Sequence, residues 1–93
     1  MTINKYSLVS DGEQELVLPD GAVILNVMEY RGRVALYALV DPDAEPIDRY
    51  TIRIVGTGQP AEGLDGYEFL GSCILYSGSL VVHVFARLEV DAE

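Results

Sequence analysis

Hydrophobic and polar residues alternate with a period of two along most of this chain, and no stretch keeps apolar residues at helical spacing. The alternation predicts strands over about 3–9, 13–18, 22–30, 33–41, 49–55, 67–76 and 79–88. Turn chemistry separates them: Asp11-Gly12, Pro19-Asp20-Gly21, Arg31-Gly32 and Ser77-Gly78, where glycine supplies the positive φ that tight turns need. Two longer segments, 41–48 and 56–66, read as loops.

The pattern occurs twice. Lys5-Tyr6-Ser7-Leu8 returns as Arg49-Tyr50-Thr51-Ile52, Asp20-Gly21 with Ile24-Leu25 as Asp65-Gly66 with Phe69-Leu70, and Tyr30-Arg31-Gly32-Arg33 as Tyr76-Ser77-Gly78-Ser79. The expectation is a single all-β domain over 1–93, with repeat halves at about 3–41 and 47–90. Its strands, about seven and antiparallel, would form a sandwich or flattened barrel with pseudo-two-fold symmetry from an internal duplication.

Fixing the two hairpin loops sets the register. Val27 then faces Leu36, Leu25 faces Ala38 and Val23 faces Val40, with Val23, Leu25, Val27, Val34, Leu36, Ala38 and Val40 on the core side. In the second hairpin Phe69, Gly71, Cys73 and Leu75 pair inward with Leu80, Val82, Val84 and Ala86. Outward, Ser72 faces His83 and Glu68 faces Arg87. Both hairpins are apolar on both faces, so a second cover is expected, from the long loops or a second subunit, and a homo-oligomer is anticipated. Asp91-Ala92-Glu93 reads as a frayed tail.

Composition narrows the function classes. One cysteine, Cys73, excludes an intrachain disulfide and a cysteine-based metal site. No charged-then-apolar leader and no membrane-length apolar run is present, so a cytoplasmic protein without membrane association is expected. The net charge of −9 opposes nonspecific binding to nucleic acid, which needs cations to displace phosphate counterions.

Few residues suggest chemistry. His83, the only histidine, faces Ser72; without an orienting third group or an oxyanion hole the pair reads as structural or as a ligand contact, with no catalytic residues assigned. Asn26 and Tyr37 hold the equivalent place in the first half. Gly56-Thr57-Gly58-Gln59-Pro60 follows a strand directly and could offer free N–H groups to an anion, although it is neither a Walker loop nor a dinucleotide fingerprint. Gly56, Thr57, Gly58, Gln59, Arg33, Arg53, His83 and Tyr37 are therefore the ligand-contact candidates. Asp41, Asp43, Glu45 and Asp48 form an acidic loop without calcium-loop spacing and are candidates for meeting a basic partner. Neither a cofactor nor a metal is implied.

Gly21-Ala22-x-Ile24-Leu25-x-Val27, Leu36-Tyr37-Ala38-Leu39-Val40-Asp41-Pro42, Val55-Gly56-Thr57-Gly58-x-Pro60, Leu70-Gly71 and His83-Val84-Phe85, in that order, resemble a family of small, largely uncharacterised all-β proteins encoded by phages and prophages. The resemblance implies a genetic setting rather than an activity. In that setting, the host cytoplasm, the expectation is a non-enzymatic inhibitor of bacterial antiviral defence. It would plug a basic groove of a defence protein, as anti-CRISPR proteins do, or sequester a small anionic nucleotide signal against Gly56-Thr57-Gly58 and Arg33 or Arg53. A virion structural or assembly protein is the alternative.

Overall fold

The computed structural model describes residues 1–89; the anticipated frayed tail, 91–93, lies outside them. Seven strands follow one another: β1 (Thr2–Leu8), β2 (Gly12–Leu18), β3 (Val23–Tyr30), β4 (Arg33–Val40), β5 (Asp48–Gly56), β6 (Glu68–Leu75) and β7 (Leu80–Leu88). They form two antiparallel sheets, ordered β1-β4-β3 (sheet A) and β2-β5-β7-β6 (sheet B). Among the described residues no strand pairing joins the sheets, and the shortest dimension is 16 Å, so the fold is a thin two-layer sandwich rather than a closed barrel.

The two halves order their strands alike, β1-β4-β3 beside β5-β7-β6. The difference is β2, which leaves its own half and adds to β5 as a fourth strand. Leu8, Val34, Leu36, Ala38 and Val40 of sheet A and Leu18, Ile52, Ile54, Val82, Val84 and Ala86 of sheet B bury their side chains between the layers. At roughly 1.5–3 kcal/mol for each fully buried large aliphatic side chain, this alternating stripe is the main stabilising term.

The first hairpin turns at Arg31 and Gly32, both at positive φ (52° and 81°), as two-residue loops require. The expected register holds from the turn back to Val27↔Leu36 and Asn26↔Tyr37, and then slips. A bulge at Leu25 puts Ile24 opposite Ala38 and Val23 opposite Leu39. One extra residue on one strand reverses every side chain beyond it. Val23 and Leu25, expected in the core, are 53% and 48% exposed, and Ile24 packs inward instead.

The second hairpin repeats this correction. Tyr76–Gly78 form a short 3-10 turn, with Tyr76 and Ser77 also at positive φ, in place of a two-residue loop. Leu75↔Leu80, Cys73↔Val82, Ser72↔His83 and Gly71↔Val84 pair as expected, and then a bulge at Leu70 shifts the ladder. Phe69 faces Phe85 on the outside, where the rings lie 5.4 Å apart, and Leu70 packs on the core. Glu68 consequently opposes Ala86, not Arg87.

The sheets close on one another along β3 and β6. There a side chain on Gly71, whose φ is 147°, would come within 3.2 Å of Val27 Cγ2. The outer face of sheet B is partly roofed by segment 57–67: Arg53 Nη1 donates to the Glu62 carbonyl (2.5 Å), and Tyr67 takes the guanidinium groups of Arg87 and Arg53 at 4.7 and 6.0 Å from its ring centre. Val55 is buried beneath it. Sheet A has no such roof among the described residues, and Ile3, Val23, Leu25 and Met28 remain about half exposed or more on it.

Candidate functional site

His83, on the outer face of β7, is held from both sides. Ser72 on β6 stands directly opposite and its Oγ lies 2.7 Å from Nδ1. Thr57, the first residue after β5, places Oγ1 2.8 Å from Nε2 and donates that hydroxyl proton to the Val81 carbonyl at 3.0 Å. With its only proton used, Thr57 Oγ1 accepts from Nε2–H, which leaves Nδ1 to accept from the Ser72 hydroxyl. Both ring nitrogens are thus bonded, and the row Ser72–His83–Thr57 stitches β6, β7 and the end of β5 together.

This gives His83 the orienting third group that the linear pattern could not reveal, but the group is an uncharged threonine. Ser72 is exposed, beside Ile74 at 61% exposure, on an open strand face rather than in a cleft. The nearest cavity, about 250 Å³ and shallow, is lined by Val55, Gly56, Thr57, Gly58, Gln59, Ala61, His83 and Phe85. Five of the ligand-contact candidates therefore converge: Gly56, Thr57, Gly58, Gln59 and His83. Two of that loop's backbone N–H groups are nevertheless occupied. Thr57 N–H donates to Val81 O and Gln59 N–H to Gly56 O, each at 3.0 Å, so the anticipated run of free N–H groups is a closed turn. Arg53 lies nearby with its guanidinium committed to Glu62 and Tyr67.

Arg33 and Tyr37 belong to β4, on the other sheet, and do not join this loop. Arg33 instead enters a cluster that the linear pattern does not disclose. Tyr30, its direct cross-strand neighbour, carries Lys5 Nζ 3.5 Å above its ring centre, and the Arg31 guanidinium lies at 5.3 Å. Lys5 and Tyr30 meet diagonally across Ala35, whose small side chain they cover to 1% exposure.

The six cations divide by sheet. On sheet B, Arg49 pairs with Glu15 at 3.4 Å, Arg87 with Glu89 at 2.9 Å, and Arg53 bonds Glu62 O. On sheet A, Lys5, Arg31 and Arg33 have no carboxylate partner among the described residues, although the chain has 15 acids. The nearby Glu29 carboxylate accepts the Gly32 N–H at 2.5 Å and so holds the turn. Only the packing of β1 against β4 brings Lys5 to Tyr30, and no local motif announces it.

The acidic loop is part of the scaffold. Asp41 accepts from its own loop at Asp43 N (3.0 Å), and Asp48 accepts from Gly21 N (3.0 Å), clamping the β2–β3 turn. Asp43 and Glu45 are exposed. Among the described residues no cluster of three His, Cys, Asp or Glu side chains could hold a metal ion, and no helix is long and apolar enough to cross a membrane.

Burial shifts two groups and hydrogen bonding a third. Desolvation, with a smaller contribution from Glu29, pushes the Cys73 thiol up. Desolvation likewise raises Tyr50, assisted by Asp48 and Glu68. Glu89 is held below its ordinary value by hydrogen bonds from Thr51 and then Arg87, whose distances to it are 2.6 and 2.9 Å.

A family described as a domain of unknown function, DUF7352, matches the chain over residues 1–93. No curated protein and no solved structure matches it.

Proposed function

Because the chain belongs to the DUF7352 family, whose function is undescribed, we propose from geometry and charge that it is a non-enzymatic binding protein whose working surface is the Tyr30 corner of sheet A, and that it takes an anionic ligand there. The observation that carries this reading is the segregation of cations: in a protein of net charge −9, Lys5 and Arg31 stand over one exposed ring and Arg33 is its cross-strand neighbour, all three without a carboxylate partner among the described residues. Leaving guanidinium groups unpaired when carboxylates are plentiful is the arrangement expected where an incoming anion completes them. The tyrosine ring and the exposed Met28, two residues back on the same face of β3, supply an apolar platform beside the charge.

In the genetic setting suggested by the motif resemblance, the ligand of matching chemistry is a small nucleotide signal of antiviral defence. Its phosphates would meet Arg31 and Arg33, and its base the apolar platform. The Ser72–His83–Thr57 row serves in this reading as a structural stitch. The test is thermal unfolding against a panel of cyclic and linear nucleotides at millimolar concentration. A ligand at about a hundred times its dissociation constant stabilises by roughly 2.7 kcal/mol, an increase of roughly 10–20 °C in the unfolding midpoint for a domain this small. The shift should vanish in R31A/R33A and persist in H83A. A flat response across the panel, or a shift that survives R31A/R33A, overturns the reading.

An assembly role is the second reading, favoured by one observation: β1 and β2 are both unpaired edges among the described residues. Particles or fibres formed by the purified protein would support it.

A further inference from the structure

Of the four edge strands among the described residues, β1 and β2 lie on one side of the sandwich and β3 and β6 on the other. The layers meet along β3 and β6, and Val9, Ser10 and Asp11 alone carry the chain from the end of β1 to the start of β2. The Gln14 side chain shortens that crossing further by bonding both backbone groups of Val9, at 2.9 and 2.8 Å. On one flank the edge strands β3 and β6 therefore pack against each other, and on the other the outer-side N–H and C=O groups of β1 and β2 have no partner strand, the arrangement that pairs readily with another chain.

The edges carry opposite charge. Strand pairing fixes which residues point outward: Ile3, Lys5 and Ser7 on β1, and Glu13, Glu15 and Val17 on β2. We infer that a second copy of this chain closes the open flank, with β1 of each copy lying along β2 of the other about a two-fold axis. Sheet A of one copy then continues into sheet B of the other, three strands plus four, as a seven-stranded sheet. Outward residues meet outward residues, so Lys5 comes beside Glu13 and Glu15 of the second copy. The inward Tyr6 and Leu16 extend one shared core.

Charge selects this pairing over the other symmetric one. Joining β1 to β1 and β2 to β2 would set Glu13 and Glu15 against their own copies, and like charges facing across strands are destabilising. A lysine in the middle of an edge strand discourages indiscriminate pairing. An acidic edge is the one partner strand for which Lys5 is an attraction. Its long stem, now laid over Tyr30, can also reach the strand on its other side. The closed two-fold leaves neither β1 nor β2 free, so pairing through this flank stops at two.

Sedimentation equilibrium over a micromolar range, with far-UV circular dichroism to confirm folding, tests this independently of any ligand. The wild type is expected to be a dimer that weakens as salt rises. K5E, and separately E13K/E15K, should raise the dimer dissociation constant on the order of tenfold or more. The combined K5E/E13K/E15K variant should restore it to near the wild-type value. A wild type that stays monomeric at hundreds of micromolar, a K5E protein that dimerises as well as its parent, or a combined variant weaker than both parents would each overturn the inference.

Discussion

Single residues show most clearly where this protein keeps its polar groups satisfied. His83 is bonded at both ring nitrogens, and removing it strips acceptors and donors from Ser72 and Thr57 together. H83A should lower the unfolding free energy by about 1–2 kcal/mol in urea titrations, in line with two net hydrogen bonds at a partly exposed position. Glu89 provides a pH signature. Its carboxyl is depressed in the folded state, so its contribution to stability is complete above the ordinary glutamate range and is lost as pH falls through the lower folded value. Urea midpoints measured between neutral and acid pH should fall on acidification, and E89Q should flatten that slope while leaving the curve otherwise intact. Cys73 is 2% exposed with its thiol pushed up, so alkylation of the native protein at neutral pH should be slow and should accelerate on unfolding.

At the level of elements, hairpins transmit information outward from their turns until a bulge interrupts it. Arg31-Gly32 can be read from chemistry alone, and so can Val27↔Leu36 and Ser72↔His83, because alternation and turn length determine them together. Beyond Leu25 and Leu70 that logic fails. Both are ordinary strand formers, and an extra leucine leaves no trace in a pattern already apolar on both faces. Gly71, next to the second bulge, is the available hint, since glycine within a strand often marks one. The destination of β2 is equally hidden: nothing in Gly12–Leu18 says that its partner is β5, with Glu15 reaching Arg49. Of the candidate site, the Gly56–Gln59 loop and His83 are each legible, as a glycine-rich strand end and a lone histidine, but they meet only through the pairing of β5 with β7, just as Lys5 and Tyr30 meet only through that of β1 with β4. The seam can be tested at Gly71. G71A should destabilise by about 1–3 kcal/mol, through its positive φ and its approach to Val27, and V27A in the same chain should relieve the steric share, as a double-mutant cycle would read.

Across the whole molecule, the distribution of covering is uneven. Segment 57–67 roofs one sheet, the other stays bare, and the layers approach most closely along β3 and β6. The molecule thus resembles a book, bound at β3 and β6 with its fore-edge at β1 and β2. A book opens at the fore-edge and turns on its spine, so thermal breathing has a direction. Amides of β1 and β2 should exchange with deuterium soonest, while those of β4 and β7, ringed by neighbours within their own pages, should wait for global unfolding. Whatever rests against the fore-edge would then act as a clasp, slowing exchange in both outer strands at once without touching the spine.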